Sequence, residues 1–178
     1  MKKMAVINLA ICGVMIALHI VLELFLTVRI GNDFKITFAT LPFIVVGLIC
    51  GPVEGLATGL LGTLLSQLLT FGWTQSTPFW LIPGTLCGLL AGLVYKIFKR
   101  RTQFVPIMVS IVIAMFVFIA FNWIASYFDG VVIYKYMTME VLLALIPMRI
   151  LIGVILMIIY TAVCVPLCKA LQHRVRGI

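Results

Sequence analysis

The sequence predicts an all-α integral membrane protein with six transmembrane helices and both termini on the cytoplasmic side. Three observations carry this. The 178 residues are 64% hydrophobic and only 10% charged, with a mean hydropathy of +1.27; that composition belongs to a membrane chain and not to a water-soluble globule. The apolar residues fall in long continuous runs without alternation, which favours helices over barrel strands, because lipid offers no partner to an unpaired backbone group. The Lys and Arg residues gather on one side of the predicted bundle.

A helix needs about 20 apolar residues to cross about 30 Å of hydrocarbon, so the chain accommodates six spans as a single membrane domain over 1–178. They are predicted at about 4–28, 36–50, 52–71, 79–98, 104–128 and 147–171. The first follows Lys2 and Lys3; its run is too long for a signal-peptide core and lacks a small-residue cleavage site, so it reads as an uncleaved span. Gly51-Pro52 separates the second from the third, since proline lacks a donor and disfavours helix in the preceding residue. Pro78, Pro106 and Pro147 lie near the starts of the last three spans, where a missing N–H is harmless.

Cytoplasmic loops retain positive charge. Lys2, Lys3, Lys96, Lys99, Arg100, Arg101, Lys169, Arg174 and Arg176 fall on one side, against Arg29, Lys35 and Lys135 on the other, with Arg149 at a span's edge. The net charge of +8 is therefore mostly topology, and its dispersal over membrane-flanking ends argues against nucleic-acid binding.

Five cysteines, Cys12, Cys50, Cys87, Cys164 and Cys168, lie within or at the inner ends of spans without a CxxC pair; they read as small hydrophobes, and no metal-ligand cluster is visible. No phosphate-cradling, HExxH or GxSxG motif is present, so the chain shows no catalytic residues and no means of hydrolysing ATP by itself. His19 and Glu23, at i and i+4 of the first span, suit either a proton relay or a local pairing of Glu23 with an outer basic residue.

Small residues four apart let helix backbones touch in lipid. The third span carries Gly51, Gly55, Gly59, Gly62 and Ser66 on one stripe and the fourth Gly84, Gly88 and Gly92, which predicts close packing of the two. Ala10, Gly13 and Ala17 form another small-residue surface on the first span; by spacing alone it is equally suited to the bundle interior or to a separate membrane subunit.

Polar and aromatic residues bunch at the predicted outer side: Phe34, Lys35, Phe71, Trp73, Trp80, Asn122, Trp123, Tyr127 and Arg149. Any one aromatic would fit an interfacial belt. Asn122 and Arg149 sit inside helix ends, where an unpartnered polar group is costly, and are expected to face a wet cavity. Arg149 falls in the first turn of its helix, where guanidinium and positive dipole end converge; this suits a carboxylate-bearing ligand flanked by rings.

The stretches "ALHIVLELFLTV", "FKITFATLPFIVVGLICGPVEGLATGLLG", "IPGTLCGLLAGLVYK" and "PMRILIGVILMIIY" resemble the substrate-binding S component of energy-coupling factor (ECF) vitamin transporters, in the folate-type subfamily. The resemblance implies an ABC-type importer of the bacterial cell membrane. Its S component captures a water-soluble vitamin, folate or pantothenate first, beneath the outer loop from Arg29 to Lys35. It topples to deliver the vitamin inward, energised by a separate membrane coupling subunit and two ATPases, with no cofactor of its own. The resemblance also implies that Ala10, Gly13 and Ala17 dock on the coupling subunit. Departures at Glu23-Leu24 and at Ile82-Pro83-Gly84 leave cobalamin or a nucleobase precursor open as the vitamin. A stand-alone secondary transporter would instead show repeats or broken helices, and a membrane enzyme acting on lipids would show paired carboxylates near the boundary.

Overall fold

Backbone polarity confined to helices is what lipid demands, and the computed structural model, which describes residues 2–30, 34–99 and 103–176, is helical throughout apart from one small hairpin. Side chains are described except at 2–5, 28–30, 34–35 and 171–176. In chain order come α1 (Lys2–Phe25), β1 (Val28–Ile30), β2 (Phe34–Ile36), α2 (Leu41–Ile49), α3 (Pro52–Phe71), α4 (Thr77–Ile97) and α5 (Phe104–Tyr127). A π-helical turn, Phe128–Ile133, follows, then α6 (Met139–Ala144) and α7 (Ile146–Arg176).

Five of the six predicted spans coincide with α1, α3, α4, α5 and α7 to within a few residues. The second requires correction. Where a span over 36–50 was expected, α2 has nine residues, about 13.5 Å of helix at 1.5 Å per residue, under half of a hydrocarbon core of about 30 Å. Every residue from Pro42 to Ile49 is buried. The run is apolar on all faces because protein surrounds it. The residues before it turn out of helix, into β2, which pairs antiparallel with β1 through Val28↔Ile36, Arg29↔Lys35 and Ile30↔Phe34. The fold is thus a helical bundle with a hairpin between α1 and α2.

Among the described residues, four segments are long and apolar enough to cross a membrane: Val6–Phe25, Thr77–Ile97, Phe104–Ile133 and Met139–Ala170. The twenty-residue α3 has the length, but glycines, Thr58, Thr63, Ser66 and Gln67 dilute its apolar content.

Around α2 the core is completed by Cys87, Ala91 and Tyr95 of α4, Ile107 and Ile111 of α5, and Tyr160 and Cys164 of α7, all at 0% exposure. All five cysteines are buried. Gly55 of α3 and Gly88 of α4 lie against one another so closely that a Cβ on Gly88 would fall on the carbonyl of Gly55. Gly59 and Gly84 repeat the contact one turn away. Gly51, at φ 142°, supplies the backbone bend that places Pro52 at the first turn of α3.

Candidate functional site

Helices that pack tightly along one seam and diverge elsewhere leave a hollow. Here it is a cavity of about 550 Å³, walled by α1, the segment after β2, α3, α4, α5, the π turn and α7. That is within the size range of small-ligand pockets.

The α1 wall is a hydrogen-bonded joint. His19, 4% exposed, lies 2.7 Å through Nδ1 from the carbonyl of Ala39; a carbonyl only accepts, so Nδ1 carries the proton. Its Nε2 lies 3.2 Å from Ser66 Oγ, and its ring packs on Phe43 with centroids 4.3 Å apart. One turn on, the Glu23 carboxylate accepts from the Thr37 hydroxyl at 3.1 Å. Thr37 is held from several sides: its Oγ1 accepts from Thr27 Oγ1 and from the Ala39 amide, each at 3.1 Å, and its carbonyl accepts from the Tyr160 hydroxyl at 3.1 Å. The four residues before α2 are thereby fastened to α1 and α7, and through His19 to α3.

The α3 wall presents Thr63, Ser66, Gln67 and Thr70 to the cavity. These positions recur at three- and four-residue spacing, so they share one face of the helix. At the α3–α4 turn, Thr77 Oγ1 accepts from the Thr74 amide at 3.0 Å, beside Ser76.

A third wall joins α5 to α7. Arg149 Nη1 donates to Ser126 Oγ at 2.9 Å, and Ser126 donates onward to the carbonyl of Asn122 at 3.0 Å. At the edge, the Tyr136 hydroxyl donates to Asp129 Oδ2 at 2.9 Å, and the Met137 amide donates to the Gly130 carbonyl at 3.2 Å, closing the π turn onto the loop after it. Phe43, Met115, Phe118, Ile119 and Leu156 supply apolar surface between these polar walls.

Of the residues singled out by sequence, Phe71, Trp80, Asn122 and Arg149 line this cavity. Trp73 does not; it is 70% exposed beyond the end of α3. Trp123 and Tyr127 also lie off the wall and stack on each other at 6.4 Å. Tyr127 meets Phe128 edge-on, and Phe128 stacks on Phe79 at 4.3 Å. This aromatic layer braces the end of α5 against the start of α4. The Trp123 indole nitrogen is buried without a hydrogen-bond partner among the described residues. The side chains of Phe34 and Lys35 lie outside the described residues.

Sequence reasoning did not assign Thr37, Thr40, Phe43, Ser66, Gln67 or Thr70 to the site. The polar stripe of α3 was legible as spacing, but it interleaves with the glycine stripe that drew the packing interpretation. Ala10, Gly13 and Ala17 are exposed on α1, and a Cβ built on Gly13 meets nothing within 4 Å. Among the described residues, no three His, Cys, Asp or Glu side chains come together as a metal site.

Residues 3–173 match the profile of a protein family described as ECF-type riboflavin transporter, S component. Among solved structures, one reported as the structure and mechanism of the S component of a bacterial ECF transporter superposes with a TM-score of 0.66 at 22% identity. It covers 93% of this chain and 97% of its own. At that identity the likeness is one of fold. No curated protein matches the chain. The matched family is the riboflavin one, so the resemblance to folate-type members, with folate or pantothenate as vitamin, finds no support in these comparisons.

Proposed function

The chain belongs to the ECF-type riboflavin transporter S components, and from that premise we propose that its cavity binds riboflavin and that the protein hands it to an energising module for import. The cavity carries the proposal: it combines uncharged hydroxyl and amide groups, from Thr40, Ser66, Gln67, Thr70 and Asn122, with aromatic and aliphatic surface from Phe43, Trp80 and Phe118. Riboflavin has the same division, a flat ring with one apolar and one polar edge, and a polyhydroxylated chain. Hydroxyls and amides suit that chain, since each can donate and accept. Arg149, held by Ser126, is a donor-only group suited to the ring's carbonyl edge.

In this proposal the cavity opens outward, both termini are cytoplasmic in a bacterial membrane, and ATP is used by two partner ATPases. The Ala10–Gly13–Ala17 face of α1 docks on the membrane coupling subunit. That face is exposed and open at Gly13, and close helix approach in lipid favours such small residues.

The test is to purify the protein from cells grown with the vitamin, release small molecules, and titrate emptied protein with riboflavin while following quenching of flavin fluorescence. A stoichiometric flavin and saturable quenching are expected. Saturation by folate or pantothenate, with riboflavin ignored, would overturn the assignment, and unaided uptake in liposomes would favour a stand-alone transporter.

A further inference from the structure

Glycine in a helix interior destabilises the helix relative to alanine, so its presence there calls for a reason outside the helix. Among the described residues, two glycines line the cavity, Gly84 and Gly153. Gly84 belongs to the α3–α4 seam, where it lies against the backbone of Gly59. Gly153, buried in α7, has no such duty, and its φ lies outside the left-handed region. Within 4 Å, a Cβ built on it would meet only the side chain of Ile119 on α5, falling on Cδ1 and lying 3.3 Å from Cγ1.

Ile119 lines the same cavity. The missing side chain at Gly153 is thus a notch that receives the end of Ile119 and holds it off the cavity. A β-branched side chain in a helix has essentially one χ1 rotamer. With the notch filled, the terminal methyl of Ile119 would swing about its last bond, off α7 and into the cavity space beside it.

What this level of the cavity receives follows from its surroundings. Met115, Phe118, Ile152 and Leu156 stand beside Ile119 and Gly153 on the wall, a surface without hydroxyl, amide or charge, whereas the polar stripe from Thr63 to Thr70 belongs to α3. Along α7, at 1.5 Å per residue, Gly153 lies about 6 Å and Leu156 about 10.5 Å beyond Arg149. A flavin whose carbonyl edge meets Arg149 therefore lays its opposite, benzenoid edge, with two methyl groups, along this apolar level.

Resting on the reading of the cavity as a flavin site, we propose that Gly153 is a specificity-determining residue: by taking up the end of Ile119 it keeps room for the two methyl groups of the ring. The full chain in detergent is titrated by flavin-fluorescence quenching with riboflavin and with its analogue lacking both ring methyls. The proteins are wild type, Gly153→Ala, Ile119→Val and the double variant. Wild type is expected to bind both flavins, riboflavin more tightly. Gly153→Ala is expected to weaken riboflavin by about tenfold, the lower end of what one methylene decides in an apolar pocket, and the demethylated analogue by less. Ile119→Val removes only Cδ1, the atom on which the new Cβ would fall. The double variant is therefore expected to bind riboflavin to within about threefold of Ile119→Val, as coupled neighbours do. Ile119→Val alone, which leaves Gly153 in place, is expected to bind an analogue bearing ethyl in place of one ring methyl better than wild type does.

Riboflavin affinity unchanged in Gly153→Ala, equal loss for both flavins, no recovery in the double variant, or no gain for the ethyl analogue in Ile119→Val would overturn the role of Gly153 and leave riboflavin binding standing. Failure of folded wild type to bind riboflavin would overturn the flavin reading and this role with it.

Discussion

Arg149 Nη1 lies 2.9 Å from Ser126 Oγ, and Ser126 passes its own proton to the carbonyl of Asn122. Ser126 is 4% exposed, so the bond fixes a guanidinium on the cavity wall instead of leaving it to sweep solvent. Arg149→Ala should weaken riboflavin binding by about 1.5–3 kcal/mol, the range for a hydrogen bond to a charged group. Ser126→Ala should cost less, about 0.5–1.5 kcal/mol, because the guanidinium remains and only its aim is lost. Fluorescence titration of both variants checks the order. Equal losses would mean that Ser126 acts on the ligand directly.

Gly55 and Gly88 bring α3 and α4 into backbone contact, and that seam sets how far the helices diverge at the cavity. Gly88→Ala should lower thermal stability in detergent, since its Cβ would meet backbone that has no side chain to move; overpacking of this kind costs about 1–3 kcal/mol. Gly13→Ala is the comparison, because its Cβ meets nothing. An unfolding midpoint unchanged in Gly88→Ala would show that the two helices separate easily.

These two regions were unequally legible in the sequence. The α3–α4 seam could be read because small-residue spacing is local and lipid gives helix contact few other causes. The shortness of α2 could not, since "LPFIVVGLIC" is apolar whether lipid or protein surrounds it; only the partners on α4, α5 and α7 decide. His19 and Glu23 were visible as a pair on one face, but the fastening of Ala39 and Thr37 to them depends on a chain reversal between α1 and α2. Trp73 and Trp80 differ for the same reason. Both are aromatic residues near a helix end, and the course of the α3–α4 turn sends one outward and the other to the wall.

The Tyr160 hydroxyl donates to the carbonyl of Thr37 at 3.1 Å, joining α7 to the segment that carries the Glu23 contact. Tyr160→Phe keeps the ring and leaves that carbonyl one donor short. Stability should fall by about 1 kcal/mol, and by up to about 3 if the acceptor is left unsatisfied. Hydrogen exchange at the Ala39 amide, which donates to Thr37 Oγ1, should quicken in the variant; exchange unaltered there would mean that α1 alone holds the segment.

Gly13 is exposed on α1 and a Cβ built there meets nothing within 4 Å, so bulk added there enters open space. Gly13→Leu should therefore leave riboflavin affinity and the thermal midpoint within error of wild type. If the small-residue face docks on the coupling subunit, the same substitution should abolish vitamin uptake by cells and co-purification with that subunit, because a leucine holds apart two helices that pack through backbone. Ala17→Leu, one turn on and likewise exposed, should act the same way, whereas Phe116→Leu, 68% exposed on α5, should not. Uptake retained in both α1 variants would place the docking surface elsewhere on the bundle. Loss of vitamin binding in either would mean that α1 transmits strain across its own width to the wall that carries His19 and Glu23.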